Sequence, residues 1–143
     1  MFKYYKFISN NFVEKDFSLS DTALTFAKAA GFDRIYKVDG VPRVDNGYVS
    51  VTHCANRAYI AFSDKPIGID CEVVRSAPPR LSARLGTGSD REFFAEWTLR
   101  EALAKAHGLP IIKMLGDVSE ILHKYNIESF EDDGFIITVA YEK

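Results

Sequence analysis

The sequence predicts an α+β fold in which a mainly antiparallel sheet packs against one long helix. Two observations carry that expectation: a series of short, apolar, β-rich runs joined by turn-forming residues, and one long stretch with a broad apolar stripe at helical spacing behind a capping serine. A third is the lack of any internal sequence repeat, low-complexity tract or linker, which places residues 1–143 in a single compact domain.

Residues 2–9 mix aromatics with lysines as a strand does, and Ser20-Asp21 then caps a helix over 22–30 that Gly31 ends. A strand is expected over 34–38, a Pro- and Asn-Gly-containing turn region over 39–47, and a second strand over 48–54. Residues 57–62 and 67–74 are β-rich and separated by Ser63-Asp64-Lys65-Pro66, so the simplest arrangement is three adjacent antiparallel strands. Residues 76–88, with Pro78-Pro79, Gly86 and Gly88, read as a surface loop. Ser89 caps the long helix, with Asp90 and Glu92 in its first turn, and Gly108-Leu109-Pro110 stops it after His107. Phe93, Phe94, Trp97, Leu103 and Ala104 form its buried stripe. A short helix over 118–125 and a closing strand over 135–141 complete the reading.

With 47% hydrophobic and 13% aromatic residues, the 143-residue chain can bury a substantial core. Its net charge of −2 supplies no global positive field, so nucleic acid is not an expected partner. No run approaches the roughly 18 apolar residues of a membrane span. The two cysteines, Cys54 and Cys71, and a start with two lysines and no long apolar stretch point to a reducing, cytoplasmic setting. There is no zinc-spaced ligand set, no phosphate-binding Gly-x-x-x-x-Gly-Lys loop and no Gly-x-Gly-x-x-Gly element.

The chemistry concentrates in Gly68-Ile69-Asp70-Cys71-Glu72-Val73. Alternation along a strand sends Ile69, Cys71 and Val73 inward and projects Asp70 and Glu72 together from the other face. Two adjacent carboxylates repel unless something positive lies between them, and hard oxygens suit Mg²⁺ or Mn²⁺ holding a substrate phosphate. Trp97, Glu101 and Lys105 recur every four residues on the long helix, so Glu101 offers a third carboxylate. The plainer readings stay open: acids on the wet face of a strand, an exposed Glu-Lys pair, and a strand-end His53 satisfied by backbone. Cys54 and Cys71 read as small apolar fillers, and Cys54 diverges from His53 on its strand.

In this order, Gly40-x-Pro42, Val51-Thr52-His53, Gly68-Ile69-Asp70-Cys71-Glu72 and Trp97-Thr98-Leu99-Arg100-Glu101-Ala102-x-x-Lys105 resemble the 4'-phosphopantetheinyl transferases, most closely over residues 40–108. The usual pattern there is Gly-Lys-Pro, Ser-His-Ser, Gly-Ile-Asp-x-Glu and Trp-x-x-Lys-Glu-Ala-x-x-Lys. The resemblance implies an enzyme that moves phosphopantetheine from coenzyme A to a serine hydroxyl of an acyl or peptidyl carrier protein and releases 3',5'-ADP, as in fatty acid or polyketide biosynthesis. It implies that Asp70, Glu72 and Glu101 hold Mg²⁺, that His53 contacts a phosphate of coenzyme A, and that Lys105 sits by the pyrophosphate. Thr52, Arg43 and Arg100 fall at or beside positions that carry the family's donor-binding hydroxyl and charges. Glu101 is the expected base for the serine proton, with Asp70 and Lys105 beside it.

Val41 stands where the family has lysine, with Arg43 two positions on; Thr52 and Cys54 replace serines, and Arg100 replaces a lysine. In length the chain falls between the trimeric single-half synthases and the two-half members, which implies a reduced N-terminal half over 1–66 and a motif-bearing half over 67–143. Arg75, Arg80 and Arg84 would face the acidic helix of a carrier protein, or else belong to a solvated loop. A catalytically degenerate relative that binds coenzyme A or a carrier protein, and a metal-dependent phosphoesterase, are the competing readings.

Overall fold

The computed structural model describes residues 2–9 and 16–143. It is an α+β structure with antiparallel sheets and one long helix. Strand β1 (Phe2–Ile8) leads, through a 3-10 turn at Phe17–Leu19, into α1 (Asp21–Ala29), where the Ser20 side chain accepts from the Ala23 nitrogen. A small hairpin follows, β2 (Tyr36–Val38) with β3 (Val41–Arg43), then β4 (Tyr48–Cys54) and β5 (Arg57–Ser63). β6 (Ile67–Val73), α2 (Pro79–Leu85) and α3 (Asp90–His107) come next. A 3-10 turn at Ile111–Met114, the single turn α4 (Ser119–Leu122), β7 (Tyr125–Asp132) and β8 (Phe135–Glu142) close the chain.

The strands form two main sheets, ordered β1-β5-β4 and β6-β8-β7. Each is built in the same way: a strand, a helix, then a hairpin whose second strand returns to the middle of the sheet. Alternation on the central strands sets the layers. Ala58, Ile60 and Phe62 of β5 pack with Ala23 and Ala27 of α1, while Tyr59 and Ala61 turn to the opposite face. There they join Ile69 and Cys71 of β6 and Ile137 and Val139 of β8. The far side of the second sheet is covered by α3, through Ala140 with Ala102 and Leu103 and through Ile136 with Phe93 and Phe94. The order is helix, sheet, sheet, helix. Among the described residues no helix is long and apolar enough to cross a membrane.

Four expectations are corrected. β6 does not extend the β4-β5 hairpin: all seven residues of β1 register along β5, taking its second edge, and β6 pairs with β8 in the other sheet. Within residues 39–47, Val41–Arg43 forms a strand, tolerated at Pro42 because a two-stranded hairpin is all edge. Residues 76–88 contain α2, begun by Pro79, ended by Gly86 in the left-handed region, and docked through Leu81 and Leu85 beside Phe94. The helix expected over 118–125 is one turn long, because Tyr125 already opens β7 along β8.

Candidate functional site

Gly68 lies on the α3-facing side of β6, where a Cβ would overlap the Ala102 carbonyl oxygen and sit 2.7 Å from the Ala106 nitrogen. With no side chain between them, helix and strand meet backbone to backbone. Glu101 and Lys105, one turn apart on α3, are thereby set beside Asp70, two residues further along the same face of β6.

Lys105 Nζ donates to the carbonyls of Ile69 at 2.8 Å and Val51 at 3.2 Å, tying α3 to both β6 and β4, and lies 3.4 Å from Asp70 Oδ1. Thr52 Oγ1 donates to the same Asp70 oxygen at 3.4 Å, and Ser50 Oγ accepts from the Ile69 nitrogen at 3.0 Å. Asp70 is 7% exposed, and its second oxygen, Oδ2, is buried without a hydrogen-bond partner. Glu72 pairs with Arg75 at 2.8 Å; Arg75 also donates to the Val73 carbonyl and lies over the Phe94 ring.

Burial pushes the Asp70 carboxyl up to about 7; Lys105 pulls it down, while Glu101 and Glu72 push it further up. Glu101 is raised by burial, against Lys105 and with Glu72 adding to the rise. Asp70 thus feels the charge of Glu101 and Glu72, and Glu101 that of Glu72. In chemistry alone the three carboxylates, with Asp70 Oδ2 orphaned among them, suit a divalent cation. Their placement is looser: among the described residues no three His, Cys, Asp or Glu side chains are close enough together to hold a metal ion.

A cleft of about 730 Å³ meets this cluster at Lys105 and is lined by Arg43 of β3, Tyr48 and Val51 of β4, Ile67 of β6, and Lys105 and His107 of α3. Lys105 belongs to both cleft and acid cluster. Of the residues read from the sequence, the fold brings together Asp70, Glu101, Lys105 and Thr52, with Glu72 adjoining and Arg43 on the cleft wall. His53 is exposed at the end of β4 and does not line the cleft. Arg100 points elsewhere: its Nη1 donates at 2.6 Å to the carbonyls of Met114 and Gly116, and its Nε bonds Glu96 at 2.8 Å. That guanidinium clamps the segment after α3 and does not line the cleft.

Sequence reasoning passed over two features. His107 lines the cleft with its Nδ1 held 2.9 Å from the Tyr125 hydroxyl, a contact between α3 and β7 that no local spacing signals. Cys54 packs against the apolar cluster that contains Cys71; the Cys71 thiol draws Cys54 down to about 7 against the effect of burial, while Cys54 and burial both hold Cys71 up. Fold and site together define an α+β protein in which a buried aspartate, two partly buried glutamates and an exposed lysine lie at the side of a cleft. No protein-family model matches the chain, and no curated protein matches it.

Proposed function

We propose that this chain transfers 4'-phosphopantetheine from coenzyme A to a serine hydroxyl of an acyl or peptidyl carrier protein, with Mg²⁺, releasing 3',5'-ADP. The observation that carries the reading is Asp70 Oδ2, a buried carboxylate oxygen without a partner, flanked by two more acids and linked through Lys105 to the cleft. Asp70, Glu72 and Glu101 would hold the cation, whose charge offsets that of the donor pyrophosphate.

Coenzyme A lies along the cleft, where Arg43 and Lys105 meet its phosphates and the apolar side chains of Val51 and Ile67 cover its uncharged parts. His53, exposed at the end of β4, would contact a phosphate of coenzyme A. Thr52 orients Asp70 through its hydroxyl. Glu101, its basicity raised by burial, accepts the carrier serine's proton as the serine oxygen bonds to the β-phosphorus. The bond from that phosphorus to the bridging oxygen breaks, and its electron pair leaves with 3',5'-ADP. Arg80 and Arg84, exposed on one face of α2, meet acidic residues of the carrier through a field that salt weakens.

A second reading, a relative that binds coenzyme A without turnover, is favoured by one observation: protein cations already occupy the acids, Arg75 on Glu72 and Lys105 on Asp70. Incubation with coenzyme A, Mg²⁺ and an apo carrier protein, followed by mass spectrometry of the carrier, separates the readings. A phosphopantetheine-sized gain that Asp70→Ala abolishes supports transfer. Thermal stabilisation by coenzyme A without that gain supports binding alone, and loss of phosphate from coenzyme A without carrier supports hydrolysis.

A further inference from the structure

We propose that His107 is a binding residue of the cleft, one that donates from Nε2 to a phosphate oxygen of the bound substrate while the Tyr125 hydroxyl holds its other nitrogen. The identity of that substrate rests on the reading of the cleft as the coenzyme A site; the donor atom follows from the packing around Tyr125. His107 is the last residue of α3, two beyond Lys105, and lines the cleft with Lys105 and with Arg43 of β3. Among the described residues of that lining there is no aspartate or glutamate, so two cations and an imidazole share a wall with apolar side chains such as Val51 and Ile67. Such surroundings suit an anion. His53, the histidine of the Val51-Thr52-His53 motif, is exposed at the end of β4 and outside the lining, so the imidazole available within the cleft is His107.

Tyr125 decides which nitrogen carries the hydrogen. It opens β7, is 5% exposed and belongs to the apolar cluster of Ala102, Leu103 and Met114. Its ring meets the imidazole edge-on, with centroids 5.9 Å apart, and its hydroxyl lies 2.9 Å from His107 Nδ1. Burial, with the charge of Glu142 adding to it, raises the pKa of the phenol, so the hydroxyl keeps its proton. A buried hydroxyl hydrogen needs an acceptor, and among the described residues His107 Nδ1 is the one hydrogen-bond partner of the Tyr125 oxygen. The phenol therefore donates to Nδ1, which places the hydrogen of the neutral imidazole on Nε2. With Nδ1 engaged, Nε2 is the nitrogen left for a ligand, and as an N–H it offers what a phosphate oxygen accepts.

The test is isothermal titration of coenzyme A and of 3'-dephospho-coenzyme A into the wild type, His107→Ala, His107→Gln and His53→Ala, with nitrogen NMR of the His107 side chain in the wild type and in Tyr125→Phe. His107→Ala should weaken coenzyme A binding roughly tenfold, and His107→Gln, whose amide N–H₂ reaches the position of Nε2, should recover part of that loss. A loss that persists with the dephospho compound assigns the contact to the pyrophosphate; one that disappears assigns it to the 3'-phosphate. The wild-type spectrum should show the hydrogen on Nε2, and Tyr125→Phe should erase that preference, which a merely structural role for Tyr125 would not do. Binding that His107→Ala leaves unchanged, or weakens less than His53→Ala does, would overturn the proposal and leave the cleft as the coenzyme A site; so would a wild-type hydrogen on Nδ1. If the wild type binds no coenzyme A, the reading of the cleft fails by itself, and inorganic pyrophosphate becomes the probe: movement of the His107 nitrogen signals upholds the donor, and unmoved signals overturn it too. The wild-type spectra stand even if a variant folds poorly.

Discussion

Lys105 reaches Asp70 from α3 yet bonds the neighbouring Ile69 carbonyl more closely, at 2.8 Å against 3.4 Å to Asp70 Oδ1. The ammonium thus serves first as a clamp on strand backbone and only partly compensates the buried carboxylate. Asp70 keeps one oxygen unpartnered, and its carboxyl titrates at about 7 where 3.8 is usual.

A raised acid pKa ties stability to pH in a definite direction. Between about 4 and about 7 the folded chain binds more protons at Asp70 than the unfolded chain does, so stability from this group is present below that window and is lost as pH rises through it. Asp70→Asn should therefore be more stable than the wild type at pH 8 without divalent cations, by on the order of a few kcal/mol, with the gap closing towards pH 4. Urea unfolding of both proteins across that range measures it; a constant gap would show that Asp70 is not the titrating group.

Under the proposed function, a divalent cation relieves the same unfavourable charge. Millimolar MgCl₂ at pH 8 should raise the melting temperature of the wild type but not of Asp70→Asn, and the effect should shrink at pH 5, where the carboxyl is protonated. Equal shifts in both proteins would place any bound magnesium elsewhere.

Gly68→Ala should drive α3 off β6. The added methyl meets backbone atoms of Ala102 and Ala106, which cannot rotate away, so a loss of at least about 1–3 kcal/mol is expected. Chemical denaturation gives the stability change. Under the proposed function, affinity for coenzyme A should fall with it, because Lys105 rides on the displaced helix.

Arg100→Ala should cost about 1–3 kcal/mol by freeing the Met114 and Gly116 carbonyls and, under the proposed function, leave affinity for coenzyme A unchanged. Isothermal titration on the folded variant tests the second half. A large loss of affinity would return Arg100 to the role its motif position implies.

Phe94 is 1% exposed, while Trp97, although the larger ring, is only half-buried and stacks on Phe93 at 5.8 Å. Phe94→Ala should therefore cost about 3–5 kcal/mol and Trp97→Ala clearly less. The ranking of the two unfolding midpoints decides the point.

Elements with strong local signals were legible in advance. Ser20 and Ser89 accept from backbone nitrogens as caps do, and β4 spans Tyr48–Cys54, the strand expected over 48–54. β7 escaped because Glu128, Ser129, Glu131 and Asp132 give an edge strand a polar reading, and α2 escaped because Pro78-Pro79 reads as loop until Leu81 and Leu85 find the Phe94 surface. The shared face of Asp70 and Glu72 and the one-turn spacing of Glu101 and Lys105 follow from period alone.

By itself, then, the sequence determined the class of fold, the ends of its longest elements and the presence of paired acids near a lysine-bearing helix, because capping, turn chemistry and periodicity act over a few neighbouring residues. Tertiary structure alone decided that β1 rather than β6 takes the second edge of β5, that Lys105 spans two strands while Arg100 turns away, and that Cys54 packs against the cluster that contains Cys71. Those outcomes depend on strands and side chains from distant parts of the chain competing for the same edges and buried surfaces, and that competition is settled only when the whole core packs.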